Sequence, residues 1–156
     1  MIRALSGIAQ GTAAANTETE ALCRRAIAIA PGYYGQAHSL LAWTLLRGTF
    51  WSGELTKVLQ EITAEVQAAL GLDDPDPWAC LTQGLVLNRM HRFEEVMRAV
   101  GQALELNPNF AIAHAVRSSF MALSNTRAVA EVIEYAQHSV RLSPSDRLVG
   151  TWPPAQ

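Results

Sequence analysis

Four histidines, two cysteines, a short run of aspartates and scattered serines are the residues of this chain that could do chemistry. His38, His91, His114 and His138 fall one per region. None stands four residues from another histidine, and none joins a carboxylate triad, so no metal-ligand spacing is formed. His91 sits in a turn between two helices and His114 where a large side chain packs between helices; all four read as structural. Asp73, Asp74 and Asp76 suggest a calcium loop but lack its alternating ligands, mid-loop glycine and terminal glutamate. Turn formation and helix capping explain them. Cys23 and Cys80 lie at apolar helical positions and read as buried free thiols. Ser6, Ser39 and the other serines have no G-x-S-x-G context, and no phosphate-cradling glycine loop occurs. Nucleophile, base and oxyanion donor do not assemble. The expectation is a chain that is not an enzyme and holds no metal or cofactor.

The bulk numbers narrow the partners. The chain has 156 residues, 49% hydrophobic and 17% charged, with a net charge of -2. That is enough apolar matter for one domain with a core. Lys57 is the only lysine and the arginines do not cluster, so no basic field exists for nucleic acid. No run reaches the roughly 18 apolar residues of a membrane span. The first ten residues lack the long apolar stretch of a signal peptide, which points to a cytoplasmic setting.

The elements that carry these residues are set by a repeat. AIAIAP, ALGLDDP, ALELNP and SVRLSP end at Pro31, Pro75, Pro108 and Pro144, spaced by 44, 33 and 36 residues. Such a period marks paired helices stacked in an array. In the clearest unit Asp76 is an N-cap, Pro77 is the first helical residue, and a helix runs over 78–88. A polar turn over 89–92 follows. The second helix opens at Phe93 with Glu94 and Glu95 in its first turn, and Pro108 stops it. The next unit predicts helices over 111–123 and, after a cap at Asn125 or Thr126, a second one with Val129, Val132, Ile133, Ala136 and Val140 as a buried stripe. Upstream, Thr17 and Glu20 form a capping box for a helix that ends at Pro31. Helices over 34–46 and 55–70 follow, separated by an inserted loop, RGTFWSGE, whose Thr49, Phe50 and Trp51 either plug a gap between helices or stay exposed for a partner; the long helix after them favours the plug. The first ten residues form an unpaired helix, which points to a chain cut from a longer protein or lacking an N-terminal cap. The expected fold is all-α, with seven or eight helices in one domain over 1–145 and an irregular tail over 146–156.

The unit from Pro77 to Phe110 resembles a tetratricopeptide repeat. Gly84 stands at that family's small residue of the first helix, Phe93 at the aromatic opening the second, Ala103 at the later small residue and Pro108 at the closing proline. Cys80 replaces the family's tryptophan and Val96 its alanine, and Ser118 replaces the glycine in the next unit. DPWACLTQGLVL, ALELNPNFAIAHA and SVRLSPSD look like the tetratricopeptide-like regions attached to bacterial class III nucleotide cyclases and some transcriptional regulators.

The resemblance implies antiparallel helix pairs in a right-handed superhelix whose first helices line a concave groove. Its lining would be Trp78, Leu81, Leu85, Asn88 and Arg89; then Ile112, Ala115, Ser119 and Leu123; and, in the earlier unit, His38, Ala42 and Leu45. Trp78 and Arg89 are types that often anchor interfaces. The carboxylate clamp of chaperone-binding members is absent: His38, Leu81, Ala115, Ala42, Leu85 and Ser119 occupy its positions. The implied partner is a protein segment, an amphipathic helix or an apolar strand, or another domain of the parent chain. The alternative is a self-associating module. The last helix presents Arg127, Glu131, Glu134, Gln137 and His138 as a polar cap. The first, with Ile2, Leu5 and Ile8, offers a face for a homodimer.

Overall fold

A computed structural model describes residues 2–30, 32, 35–72, 76–124 and 128–144. Among these residues there are eight helices and no strand. They are α1 (Ile2–Gln10), α2 (Ala13–Ile29), α3 (Gly35–Ser52), α4 (Leu55–Leu70), α5 (Pro77–Arg89), α6 (Phe93–Leu106), α7 (Ala111–Leu123) and α8 (Val129–Leu142). The expectations for Pro31, Asp73, Asp74, the Asn125 or Thr126 cap, Arg127 and the tail over 146–156 lie outside the described residues, as does the side chain of Ile2.

Each helix packs on the one before it, most extensively within the pairs α3/α4, α5/α6 and α7/α8. Connections of a few residues between helices of similar length turn the chain back on itself. Contacts also skip a helix, from α1 to α3 and from α3 to α5. One cluster of buried apolar side chains runs from Ala4 to Phe120 and includes Leu40, Trp43, Leu81, Val100 and Val116. No helix of the described residues is long and apolar enough to cross a membrane.

Local signals decide where several helices begin and end. Asp76 caps α5, accepting a hydrogen bond from the Trp78 N–H at 3.1 Å, and Pro77 fills the first turn at no hydrogen-bond cost. His91 turns the chain with φ 59° and is exposed, and the Arg92 N–H returns to the Leu87 carbonyl at 3.1 Å. Such a left-handed residue satisfies the last carbonyls of α5.

Three sequence expectations are corrected. The capping box at Thr17 lies inside α2, which starts four residues earlier, at Ala13. Thr12 is its cap, accepting from the Ala15 N–H at 3.2 Å, while the Thr17 hydroxyl donates back to the Ala13 carbonyl. The segment 47–54 is not a loop down to Ser52: α3 continues through it, about a turn and a half beyond its expected end. Gly53, at φ 70°, provides the stop, its N–H bonding the Thr49 carbonyl at 2.8 Å. Finally, the expected buried stripe of α8 faces outward. Val129, Ile133 and Val140 are exposed, Val132 and Ala136 are half-buried, and Ser139 is the buried residue. The main packing partner of α8 is α7, held partly by the Ser118 hydroxyl donating to the Val132 carbonyl at 2.9 Å. One neighbour covers only one side of a helix.

At the other end, α1 turns Ala4 and Ile8 into the chain's own core, and Leu5 packs half-buried against it. Gly7 permits the crossing of α1 on α2, because a Cβ there would stand 2.3 Å from the buried Thr19 hydroxyl.

Both cysteines are free and buried. Burial pushes the Cys23 thiol up to about 11 and also raises Cys80, with Asp76 adding to the rise. Because the thiolate is the reacting form, native protein at pH 8 should react with a disulfide reagent at least about a hundredfold more slowly than the urea-unfolded chain. Absorbance of the released thiolate checks this, and rapid labelling of the native protein would contradict the buried placement.

Candidate interaction surface

α3 and α5 position the aromatic side chains that organise this molecule. The edge of the Trp43 ring meets Trp78, with centroids 5.1 Å apart, and Trp78 in turn meets Phe110 at 4.8 Å. Edge-to-face pairs of this kind add to the burial of the rings. The ladder ties α3, α5 and the entry to α7 together. Trp78 is half-buried and packed against the core. It therefore serves at least as a strut.

The residues expected to line a groove separate into two groups. Leu81 is wholly buried, and Leu85, Ile112, Ala42, Leu45 and Ala115 are buried too. They fill the core and offer no open surface as the chain stands. The physical reason is crowding: α5 packs at once against α3, α4 and α6, which buries residues 79–82 and 84–86. His38 is half-buried, its Nδ1 2.6 Å from the Glu65 carboxylate, and so links α3 to α4. The half-buried Ser119 hydroxyl is occupied by the Ala115 carbonyl at 2.9 Å. Asn88 is half-buried, and Arg89 and Leu123 are exposed.

Arg89 does not stand alone. Its guanidinium lies 5.7 Å from the centroid of Phe50, at the end of α3. One turn back on α3, the Arg47 guanidinium lies 5.5 Å from the centroid of Trp51. Two arginines thus rest over two adjacent aromatic rings, a favourable cation–π arrangement. Trp51 remains 47% exposed and Phe50 is half-buried. The expected plug is therefore divided: Thr49 is buried, Phe50 lies at the boundary and Trp51 reaches solvent. The result is a ledge across the C-terminal turns of α3 and α5, apolar in its rings, with the exposed Arg89 as the positive charge on its rim and Arg47 buried beneath Trp51.

The sequence reading placed Arg89 and the Phe50–Trp51 pair in separate elements and missed Arg47. The signal was present: Arg47 and Trp51 are four residues apart, which puts them on one face once the helix continues through them. Among the described residues no three His, Cys, Asp or Glu side chains converge as a metal site. No protein-family model matches the chain, and no curated protein matches it.

Proposed function

We propose that this chain is a protein-interaction module that works by binding and not by catalysis, holding a segment of a partner against the α3–α5 ledge. The carrying observation is Trp51, an exposed indole braced from below by Arg47 and standing beside the Arg89–Phe50 pair. Tryptophan and arginine are the side chains most often found to dominate binding energy at interfaces. Here they are held by rigid helix ends, so little ordering is lost on binding. The rim suits a segment that carries carboxylates beside apolar side chains, such as an amphipathic helix. The repeat signature and the tetratricopeptide resemblance support the scaffold reading. The cyclase-like strings support a place as the regulatory part of a bacterial signalling protein.

Selection of a displayed peptide library on the purified chain tests this reading. Enriched peptides should be acidic and apolar. Trp51→Ala combined with Arg89→Ala should weaken them at least about tenfold by fluorescence anisotropy, with helical content unchanged. Peptides bound equally well by this double variant would remove the ledge as the site.

A further inference from the structure

Glu131, Glu134, Tyr135 and His138 recur at the spacing that places side chains on one stripe of a helix. On α8 that stripe faces His114 of α7, and the five residues line a cleft of about 400 Å³. The volume is within the range of small-ligand sites. It lies away from the α3–α5 ledge and does not depend on that reading.

His114 gives the cleft its character. It is 8% exposed, and its Nε2 lies 2.8 Å from the Pro108 carbonyl. A carbonyl only accepts, so Nε2 carries the proton and the neutral ring leaves Nδ1 as an acceptor. That Nδ1 is buried and has no hydrogen-bond partner among the described residues. Burial, with His138 and Arg117 nearby, outweighs the Pro108 hydrogen bond and lowers the His114 pKa, which keeps this acceptor free of a proton. The His138 and His114 rings meet edge to face with centroids 4.5 Å apart, and Tyr135 stacks on His114 with centroids 5.6 Å apart. Two carboxylates on exposed residues, Glu131 and Glu134, complete the wall. Carboxylates and an unprotonated imidazole nitrogen are acceptors only. The cleft thus offers two carboxylate acceptors at its mouth and aromatic rings along its wall, with the buried His114 Nδ1 as an unpaired acceptor behind them.

Those features complement a planar cation with several N–H donors. The ring already shows the match, since Arg117 of α7 lays its guanidinium 4.7 Å from the Tyr135 centroid. Arg141 stands beside His138, with an Nη2–Nδ1 separation of 3.5 Å, and neither arginine lines the cleft among the described residues. We propose that the α7–α8 cleft binds a guanidinium group, presented either by a small free compound or by an arginine side chain of a peptide.

The test follows the imidazole carbon-bound proton signals of His114 and His138 by NMR during titration. The probes are agmatine, acetyl-Gly-Arg-Gly-amide, the same tripeptide with uncharged citrulline, and zinc ion alone. Saturable shifts from agmatine or the arginine tripeptide, absent with citrulline, are expected. The tighter of the two active probes identifies the source of the group. Glu131→Gln with Glu134→Gln, both exposed residues at the cleft mouth, should weaken that binding at least about tenfold with the circular dichroism unchanged. Glu94→Gln on α6, and the Trp51→Ala/Arg89→Ala ledge variant, should leave it intact. Equal response to citrulline, no saturation with either guanidine, binding retained in the double glutamine variant, or saturation by zinc alone would each overturn the proposal.

Discussion

Trp43→Ala should remove about 3–5 kcal/mol of stability, the largest loss expected from any single truncation in the chain. The indole is 1% exposed and lies in the middle of α3, the most thoroughly buried helix of the described residues. Its ring supports Trp78, which supports Phe110, so truncation leaves a void and also loosens the contact that sets α5 against α3 and the entry to α7. A domain of this size holds only about 5–15 kcal/mol in total, so the variant should be near the limit of folding. Urea unfolding followed by circular dichroism reads the effect as a fall in midpoint. Trp43→Phe keeps an aromatic edge toward Trp78 and should retain most of the stability. A loss below about 1 kcal/mol for the alanine variant would mean that the ladder is not the keystone of the packing.

The helices were legible because their punctuation is chemical. Asp76 followed by Pro77, Glu94 and Glu95 after Phe93, and Pro108 after ALELN each act within one turn of chain. The structure has α5 and α6 at nearly the expected bounds. What failed was inference across helices. Gly48 sits just after the expected end of α3, yet the structure carries the helix through it to Gly53. The reason is tertiary: the added turns bury Thr49 and set the Arg47 guanidinium over Trp51, while a Cβ on residue 48 would meet only the Asn16 amide, at an ordinary 3.5 Å. Gly48 inside a helix, Gly7 at a close crossing and Gly53 at a helix end look alike in sequence.

Most of the residues expected to line a groove are buried for a related reason. Around Leu81 and Leu85, and again around Ala42 and Leu45, apolar residues fall on most sides of the helix with short polar residues such as Thr82, Ser39 and Thr44 among them, a pattern that marks burial on more than one face. The family resemblance assigned one of those faces to solvent; the local composition did not. On α8 the opposite occurred. Its apolar stripe is real, but periodicity reports only that a face is apolar and cannot say whether a neighbour covers it. The ledge is hidden in the sequence because RGTFWSGE reads as a loop, where the spacing of Phe50 and Trp51 from Arg47 carries no geometric meaning.

Gly84→Leu should break the α5–α6 crossing, and two companion substitutions isolate the cause. A Cβ at residue 84 would stand 3.3 Å from Val100 Cγ2, 3.5 Å from the Ala99 Cβ and 3.5 Å from the Val96 carbonyl oxygen. All three neighbours are buried. A single methyl can be accommodated if Val100 gives slightly, and alanine gains up to about 1 kcal/mol of helix propensity over glycine. Gly84→Ala should therefore lie within about 1 kcal/mol of the parent. Leucine adds three further carbons on the same line, and insertion of this kind costs about 1–3 kcal/mol or more where backbone blocks the way. Gly101, in the neighbouring α6, has nothing within 4 Å of its would-be Cβ. Gly101→Ala should raise stability by about 0.4–1 kcal/mol, because it collects the propensity gain with no crowding. Thermal unfolding of the three variants should thus give one rise, one near-neutral value and one large fall. If Gly84→Leu unfolded with Gly84→Ala, the crossing would not be close and the repeat register that places a small residue there would fail with it. If all three fell together, the glycines would be needed for backbone freedom, which their helical conformation does not require. The predicted order makes helix separation the variable that decides: the same residue type limits packing at position 84 and merely weakens a helix at position 101.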